Sequence, residues 1–191
     1  MRSFTRITRR YGLVVGLILA VAASASAQAT APSPGAAPSN VIVAGQAIGP
    51  WTLDMTFAEF IWNLGPRNTQ LTGPGPQFRT DTGIEMSAWT SPPLVAFHGT
   101  ADNMVYALGI ADPGYATPQR IGVGVSEARV VAAYGAPSAV IQLLHRPKFL
   151  IFDGQGLAFQ IALNPVTGAY GPVERVYIFR PGRAGGVWRT P

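Results

Sequence analysis

The chain has 191 residues, no cysteine, and 14 basic against 9 acidic residues. Four of the arginines lie in the first ten residues, so the sequence from residue 28 onward is nearly neutral and offers no basic footprint for nucleic acid. Without cysteine, disulfide bonds and thiolate metal sites are excluded, and a hydrophobic core must stabilise the fold.

Residues 1–27 have the order of a secretory signal peptide. Basic residues come first, an apolar run extends from Tyr11 to Ala23, and small residues end at Ala27. The segment from Thr8 to Tyr11 also resembles the start of a twin-arginine export signal. An uncleaved membrane anchor is the alternative, because the uncharged run just reaches the length of a membrane span. We expect cleavage near Ala27, no stable membrane span afterwards, and a periplasmic or extracellular location.

The next segment, residues 28–40, is predicted to be a disordered tether. Pro, Ala and Ser dominate it, and such a composition cannot bury enough apolar surface to order itself. Two modules are predicted to follow, at residues 41–117 and 118–182. Residues 183–191 carry Arg183 and Arg189 and are predicted to be a flexible basic tail.

Two short amphipathic helices are predicted at an offset of 70 residues. LDMTFAEFIWNLGPR, residues 53–67, aligns with VGVSEARVVAAYGAP, residues 123–137. In each copy a hydroxyl residue, Thr56 or Ser126, takes the N-cap position, and an acid follows just inside the helix. Apolar residues recur at spacings of three and four, and a glycine near a proline ends the helix.

Strand segments repeat in the same order as the helices. VYALGIADPG, residues 105–114, aligns with VERVYIFRPG, residues 173–182, and LVAF at 94–97 aligns with GLAF at 156–159. A loop is predicted at 164–172, before the last strand. The predicted fold is α+β: two tandem modules, each a short helix packed on an antiparallel three-stranded meander, which could join into one continuous sheet.

The glycines of the stretch IGVGVSEARVV, residues 121–131, also suggest a dinucleotide-binding loop. That site requires GxGxxG after a buried strand, inside a strand–helix–strand unit. Here Ala128 replaces the third glycine, and the elements that follow have the pattern of hairpins. The sequence therefore predicts no cofactor.

The repeated pattern resembles two known families. One is the small outer-membrane assembly lipoprotein family, with a single helix-and-hairpin module, and the other is the beta-lactamase inhibitor protein, whose tandem modules form a concave sheet that grips a partner enzyme. The resemblance covers residues 48–182 and is carried by Thr56, Gly65, Ser126, Gly135 and Pro137. The chain lacks the lipid-accepting cysteine of the first family and the disulfides of the second. The resemblance therefore implies architecture and binding through a sheet, without either activity.

Catalytic and metal-binding patterns are weak. His98 and His145 lie in no recognisable motif, and Ser126 is explained as a helix cap better than as a nucleophile. With two distant histidines and no acid-rich loop, no metal site is predicted. Paired carboxylates are another route to hydrolysis, although acids beside Gly and Thr are common in solvated turns. The candidate pairs are Asp81 with Glu85 and Asp102 with Asp112.

The aromatic residues give the candidate binding site. Trp62 falls outside the apolar stripe of its helix and Trp89 lies near two prolines, and an exposed tryptophan is the type of side chain that anchors protein interfaces. Residues 71–84 have no counterpart in the second module and place Phe78 and Arg79 at the tip of a long loop. Trp62, Phe78, Arg79 and Trp89 are the predicted ligand-binding residues.

The sequence thus favours an exported, non-catalytic protein that binds a protein or cell-envelope ligand through its sheet face or the 71–84 loop. The alternative is a secreted hydrolase with a carboxylate or Ser126 site. Ser126 within hydrogen-bond reach of His98 or His145, in a cleft, would favour the hydrolase.

Overall fold

The computed structural model describes residues 40–64, 78 and 83–189. The predicted signal peptide and all of the predicted tether except Asn40 lie outside the described residues, as does most of the 71–84 loop. In the described part of the chain, no helix is both long enough and apolar enough to cross a membrane.

The described chain is α+β, as predicted. Its elements are, in chain order, β1 (Ile42–Val43), β2 (Ala47–Ile48), β3 (Trp51–Thr52), α1 (Phe57–Leu64), β4 (Ile84–Thr90), β5 (Pro93–Gly99), β6 (Val105–Ile110), α2 (Glu127–Tyr134), β7 (Ala139–Ile141), β8 (Lys148–Phe152), β9 (Leu157–Leu163), β10 (Tyr170–Phe179) and α3 (Ala184–Val187). The small strands β1–β3, the short strand β7 and the helix α3 were not predicted from the sequence. β10 also begins inside the predicted loop 164–172.

The strands form two separate antiparallel sheets. β1, β2 and β3 make a small sheet, and the other seven strands have the order β4-β5-β6-β10-β9-β8-β7. The central junction is the antiparallel pair of β6 and β10, where Leu108 lies opposite Ile178 and Gly109 lies opposite Tyr177. Two meanders therefore meet edge to edge in the large sheet, whereas the small sheet has no strand in common with it.

Helix α1 begins with a reciprocal cap and α2 does not. The Thr56 backbone N–H donates to Glu59 Oε2 at 2.8 Å, and the Glu59 N–H donates to Thr56 Oγ1 at 3.2 Å. The bond from the Thr56 N–H, and a second bond that the Thr56 hydroxyl donates to the same oxygen at 2.9 Å, lower the pKa of the Glu59 carboxyl because they stabilise its charged form. Ser126 occupies the predicted N-cap position of α2, but its side chain makes no capping hydrogen bond.

One face of the large sheet is covered by α1, α2 and the small sheet. Alternate residues of the long strands point to this side, as a strand period of two requires. The main buried contributors from the covering elements are Ile42, Ile48, Trp51, Phe57, Phe60 and Val130. This first face forms the larger hydrophobic core.

The second face of the sheet has an aromatic core of its own. Phe97, Phe149, Tyr177 and Phe179 point to this side, and Trp188, just after α3, packs against them and is fully buried. The prediction of a flexible tail from residue 183 is therefore wrong for residues 184–188. The Trp188 side chain buries far more apolar surface than the small residues around it. This burial holds residues 184–188 on the sheet.

Candidate functional site

The predicted binding surface, the open face of the sheet, is partly occupied by the chain itself. Phe78 and Trp188 form an antiparallel bridge across the second face, and Arg189 Nε donates to the Phe78 carbonyl oxygen at 3.3 Å. The Trp188 ring lies edge-on to Phe179, with the ring centroids 4.8 Å apart. A partner therefore cannot use the whole sheet face without displacing these residues.

The four predicted ligand-binding residues have different positions. Trp62 is 88% exposed on α1 and meets the condition for an interface anchor. Trp89 is 3% exposed and packs edge-on against Phe60, and Phe78 is 5% exposed within the second core, so burial removes both from a direct contact. Arg79 lies outside the described residues.

A cleft remains open on the second face, beside α3. Its volume is about 630 Å³, and we call it the α3 cleft; it is lined by Ile84, Tyr106, Arg180, Gly182, Arg183, Gly185, Gly186 and Val187. The lining combines the first residue of β4, one residue of β6, and the segment that follows β10. A cleft of this size is typical of small-ligand and side-chain binding sites.

Asp153 fixes the wall of the α3 cleft. It lies in the turn between β8 and β9, where its carbonyl oxygen accepts the Gly182 N–H at 3.0 Å and its carboxylate accepts the Ala184 N–H at 3.0 Å. Gly182 has φ of +75°, in the left-handed region that favours glycine. Together these features turn the chain after β10 and lay α3 across the sheet.

Two arginines give the cleft its positive charge. Arg180 forms an ion pair with Asp54 at 3.0 Å, and both side chains are largely exposed, so water weakens this pair. Arg183 is exposed and has no acidic partner within 4 Å among residues 40–64, 78 and 83–189. The guanidinium of Arg183 is therefore available to an anion.

Tyr106, which lines the α3 cleft, forms a hydrogen-bonded pair with Asp102. The Tyr106 hydroxyl donates to Asp102 Oδ2 at 2.5 Å, and Asp102 Oδ1 accepts the Met104 N–H at 3.1 Å. The bond from Tyr106 lowers the pKa of Asp102, and the same bond raises the pKa of Tyr106. Gly99 makes room for the pair, because a Cβ there would lie 2.2 Å from Asp102 Oδ1. The Asp102 carboxylate partly offsets the two arginines, and its bond to Tyr106 fixes the position of that ring.

The hydrolase alternative requires Ser126 beside a histidine, or two carboxylates close together. Ser126 is exposed at the start of α2, and no hydrogen bond joins it to a histidine in the described part of the chain. His98 instead lies 3.2 Å from the Ser87 hydroxyl and stacks on Phe57, with ring centroids 3.5 Å apart. Both members of this Ser–His pair are buried.

Two of the acids that could form catalytic pairs, Asp102 and Asp112, have local roles. Asp112 accepts the Gly114 N–H at 2.7 Å in a turn, and Asp102 is held by Tyr106. Asp81 lies outside the described residues. Within the described ranges, no group of three His, Asp or Glu side chains is placed to hold a metal ion.

Comparison with known proteins adds no function. No protein-family model matches the chain, and no curated protein matches it. Among solved structures, the uncharacterized protein yfeY from Escherichia coli has a TM-score of 0.48 and 13% identity, covering 72% of this chain and 99% of that chain. A similarity of this size carries no argument about either fold or function.

The α3 cleft was not predicted from the sequence, because its residues come from distant parts of the chain and those from Arg183 onward lie in the predicted tail. The available signal was Trp188, a large apolar side chain in a segment otherwise rich in Gly and Arg. Such a residue gains most free energy when it is buried, so a docked segment was the better prediction.

Proposed function

We propose that this chain is an exported, non-catalytic binding protein that recognises an acidic segment of a partner protein in the α3 cleft. The order of basic, apolar and small residues in 1–27 supports export to the periplasm or the extracellular space. The observation that carries the binding proposal is the presence of two exposed arginines and a fixed tyrosine in one cleft.

The chemistry of the cleft favours a carboxylate next to an apolar side chain. Arginine binds carboxylates through two parallel hydrogen bonds, and Arg183 has no acid within 4 Å among the described residues. Ile84 and Val187 supply an apolar wall in the same cleft. Because Arg180 and Arg183 are exposed in the free protein, we expect modest affinity that decreases as salt is added.

Trp62 is a second candidate contact for a protein partner, at a distance from the α3 cleft. It is exposed on α1, which packs on the first face of the sheet, whereas the α3 cleft opens on the second face. One small partner segment therefore cannot cover both places, and a variant of Trp62 serves as a control for the cleft.

We further infer that the two halves of the large sheet arose by duplication of one helix-and-meander module. Three features support this inference. α1 spans 57–64 and α2 spans 127–134, an offset of 70 at both ends. At the junction, Gly109 pairs with Tyr177, its own equivalent at the offset of 68 that aligns 105–114 with 173–182. Leu108 and Ile110 pair with Ile178 and Val176, as a two-fold axis through the junction requires.

Binding of peptides to the purified protein tests the function. Peptide display should select sequences enriched in Asp or Glu beside an apolar residue, and a selected peptide should bind the Arg180→Gln/Arg183→Gln variant about tenfold more weakly or worse. Arg129→Gln is the matched control, because Arg129 is exposed on α2 and should leave affinity unchanged. Selection without enrichment of acids, or equal affinity for the double variant, would refute the proposal.

A further inference from the structure

Two hairpin loops lie side by side at one end of the large sheet. Residues 142–147 join β7 to β8, and residues 164–169 join β9 to β10. Lys148 lies opposite Ile161 and Tyr170 lies opposite Leu163, which places both loops at the same end of their strands. The two loops also share a cavity of about 350 Å³. We call these two loops the apolar tip.

The apolar tip presents large aliphatic side chains to solvent. Leu144 is 86% exposed and Val166 is 92% exposed, and Leu143 is exposed beside them. Several exposed apolar residues on adjacent turns make a patch that water disfavours, and such patches mark interaction sites.

Local hydrogen bonds hold these side chains outward. Asn164 Oδ1 accepts the N–H groups of Val166 and Thr167 at 2.9 and 3.1 Å, which closes the second loop. In the first loop the Arg146 N–H donates to the Leu143 carbonyl oxygen at 3.1 Å. Both loops are therefore formed turns, and their apolar residues are exposed because of the backbone geometry.

The two loops of the apolar tip carry basic residues and no acid. Residues 142–147 and 164–169 contain His145 and Arg146 and no Asp or Glu. Two acids lie on the neighbouring elements: Glu127 of α2 pairs with Lys148 at 2.5 Å, and Glu174 of β10 accepts a hydrogen bond from the Gln160 amide. The Lys148 ammonium also lies 4.7 Å from the centroid of the Tyr170 ring. Arg146 is exposed and has no acid within 4 Å in the described part of the chain.

We propose that the apolar tip docks this protein on the surface of an anionic lipid bilayer. Leu143, Leu144 and Val166 enter the boundary between headgroups and acyl chains, and Arg146 contacts lipid phosphate. Tyr170 and Lys148 lie at the base of the tip, where the polar interface begins, which suits an aromatic ring and an amphipathic lysine.

A bilayer fits this surface better than a folded partner does. The apolar residues stand on projecting turns, and a fluid membrane accepts such a projection, whereas a protein would need a matching pocket. The cation Arg146, together with the absence of acids in loops 142–147 and 164–169, complements anionic headgroups. Three aliphatic side chains give weak and reversible attachment. This inference is independent of the α3 cleft and uses none of its residues.

Vesicle binding by the purified protein tests the inference. We expect the protein to sediment with vesicles of phosphatidylcholine and phosphatidylglycerol, and far less with phosphatidylcholine alone. Leu144→Asp should weaken this binding by about tenfold or more. Ala58→Asp is the matched control, since Ala58 is exposed on α1 and should accept the same charge without loss of vesicle binding.

A spectroscopic readout separates insertion from simple attraction of charges. The chain has no cysteine, so Leu144→Cys and Trp62→Cys each provide a single thiol for an environment-sensitive dye. The dye at residue 144 should shift to the blue on anionic vesicles, and the dye at residue 62 should not. Absence of vesicle binding, binding undiminished in Leu144→Asp, or a dye at residue 144 that stays in water would each overturn the inference. So would dissociation of a dimer by Leu144→Asp in sedimentation velocity, because the tip would then cover a second copy of the chain.

Discussion

Replacing Gly109 by alanine should destabilise the junction between the two halves of the sheet. A Cβ at Gly109 would lie 2.5 Å from Cδ1 and Cε1 of Tyr177 and 2.8 Å from Cγ2 of Val95. The Tyr177 ring would have to retreat by about 1 Å to reach ordinary van der Waals contact, in an interior packed as densely as an organic crystal. It cannot do so freely, because it is 1% exposed and its hydroxyl donates to Gln160 Oε1 at 2.7 Å.

The expected size of the loss follows from two opposing effects. Overpacking a core by one methyl group costs about 1–3 kcal/mol. Alanine in a strand regains about 0.5–1 kcal/mol of that, since it restricts the unfolded chain more than glycine does. We therefore expect Gly109→Ala to lower the free energy of unfolding by about 1–2 kcal/mol.

Urea denaturation followed by tryptophan fluorescence measures this loss. Gly171→Ala is the control, because a Cβ there would lie 3.6 Å from the Ala162 Cβ, an ordinary contact, and should leave stability unchanged or slightly increased. Combining Gly109→Ala with Tyr177→Leu should cost less than the sum of the two single changes. Equal stability of Gly109→Ala and Gly171→Ala would refute the close packing described for the junction.

Three further predictions concern the helix ends and the docked segment. Thr56→Ala should lower the free energy of unfolding in urea by about 1 kcal/mol. Ser126→Ala should lower it much less, because Thr56 makes a side-chain capping bond and Ser126 does not; equal losses would contradict this. The pKa of Glu59 is lowered in the folded protein, so its stabilising effect is present at neutral pH and is lost as the pH falls through that pKa. The free energy of unfolding of Glu59→Gln should therefore depend less on pH on the acid side, and an unchanged slope would disprove the link. Trp188→Ala should cost about 3–5 kcal/mol in the same assay, whereas an unaffected midpoint would mean that the segment is not docked.

The helices were predictable because their signals are local. Thr56 and Ser126 mark the starts within one turn of chain, and the observed helices begin at Phe57 and Glu127. The long strands were predictable for the same reason, since apolar segments such as LVAF at 94–97 and GLAF at 156–159 can be recognised within a few residues. The small sheet was not, because strands of two residues, such as Ile42–Val43, are shorter than any detectable period.

The site was harder to predict because it depends on contacts between distant residues. Phe78 and Trp188 are brought together by packing on the second face, and no local pattern in either segment reports that pairing. Arg180 therefore falls at the end of the last predicted strand and Arg183 in the predicted tail, although Asp153 holds the backbone around both on the sheet. Trp89 was expected as an exposed contact because two prolines follow it closely, but it lies in β4 and points to the first core.

Strand β10 has a mechanical consequence. Its ten residues extend roughly 30 Å, with Tyr170 at one end and Phe179, next to Arg180, at the other. Over residues 176–178 it is paired on both edges, to β6 and to β9, and nearer Tyr170 it is paired to β9. A pull applied between its two ends would run along the strand axis and load both hydrogen-bond ladders in shear at once, so the strand could slip only if many bonds broke together. If the apolar tip and the α3 cleft were bound at the same time, tension between these two sites would act along β10.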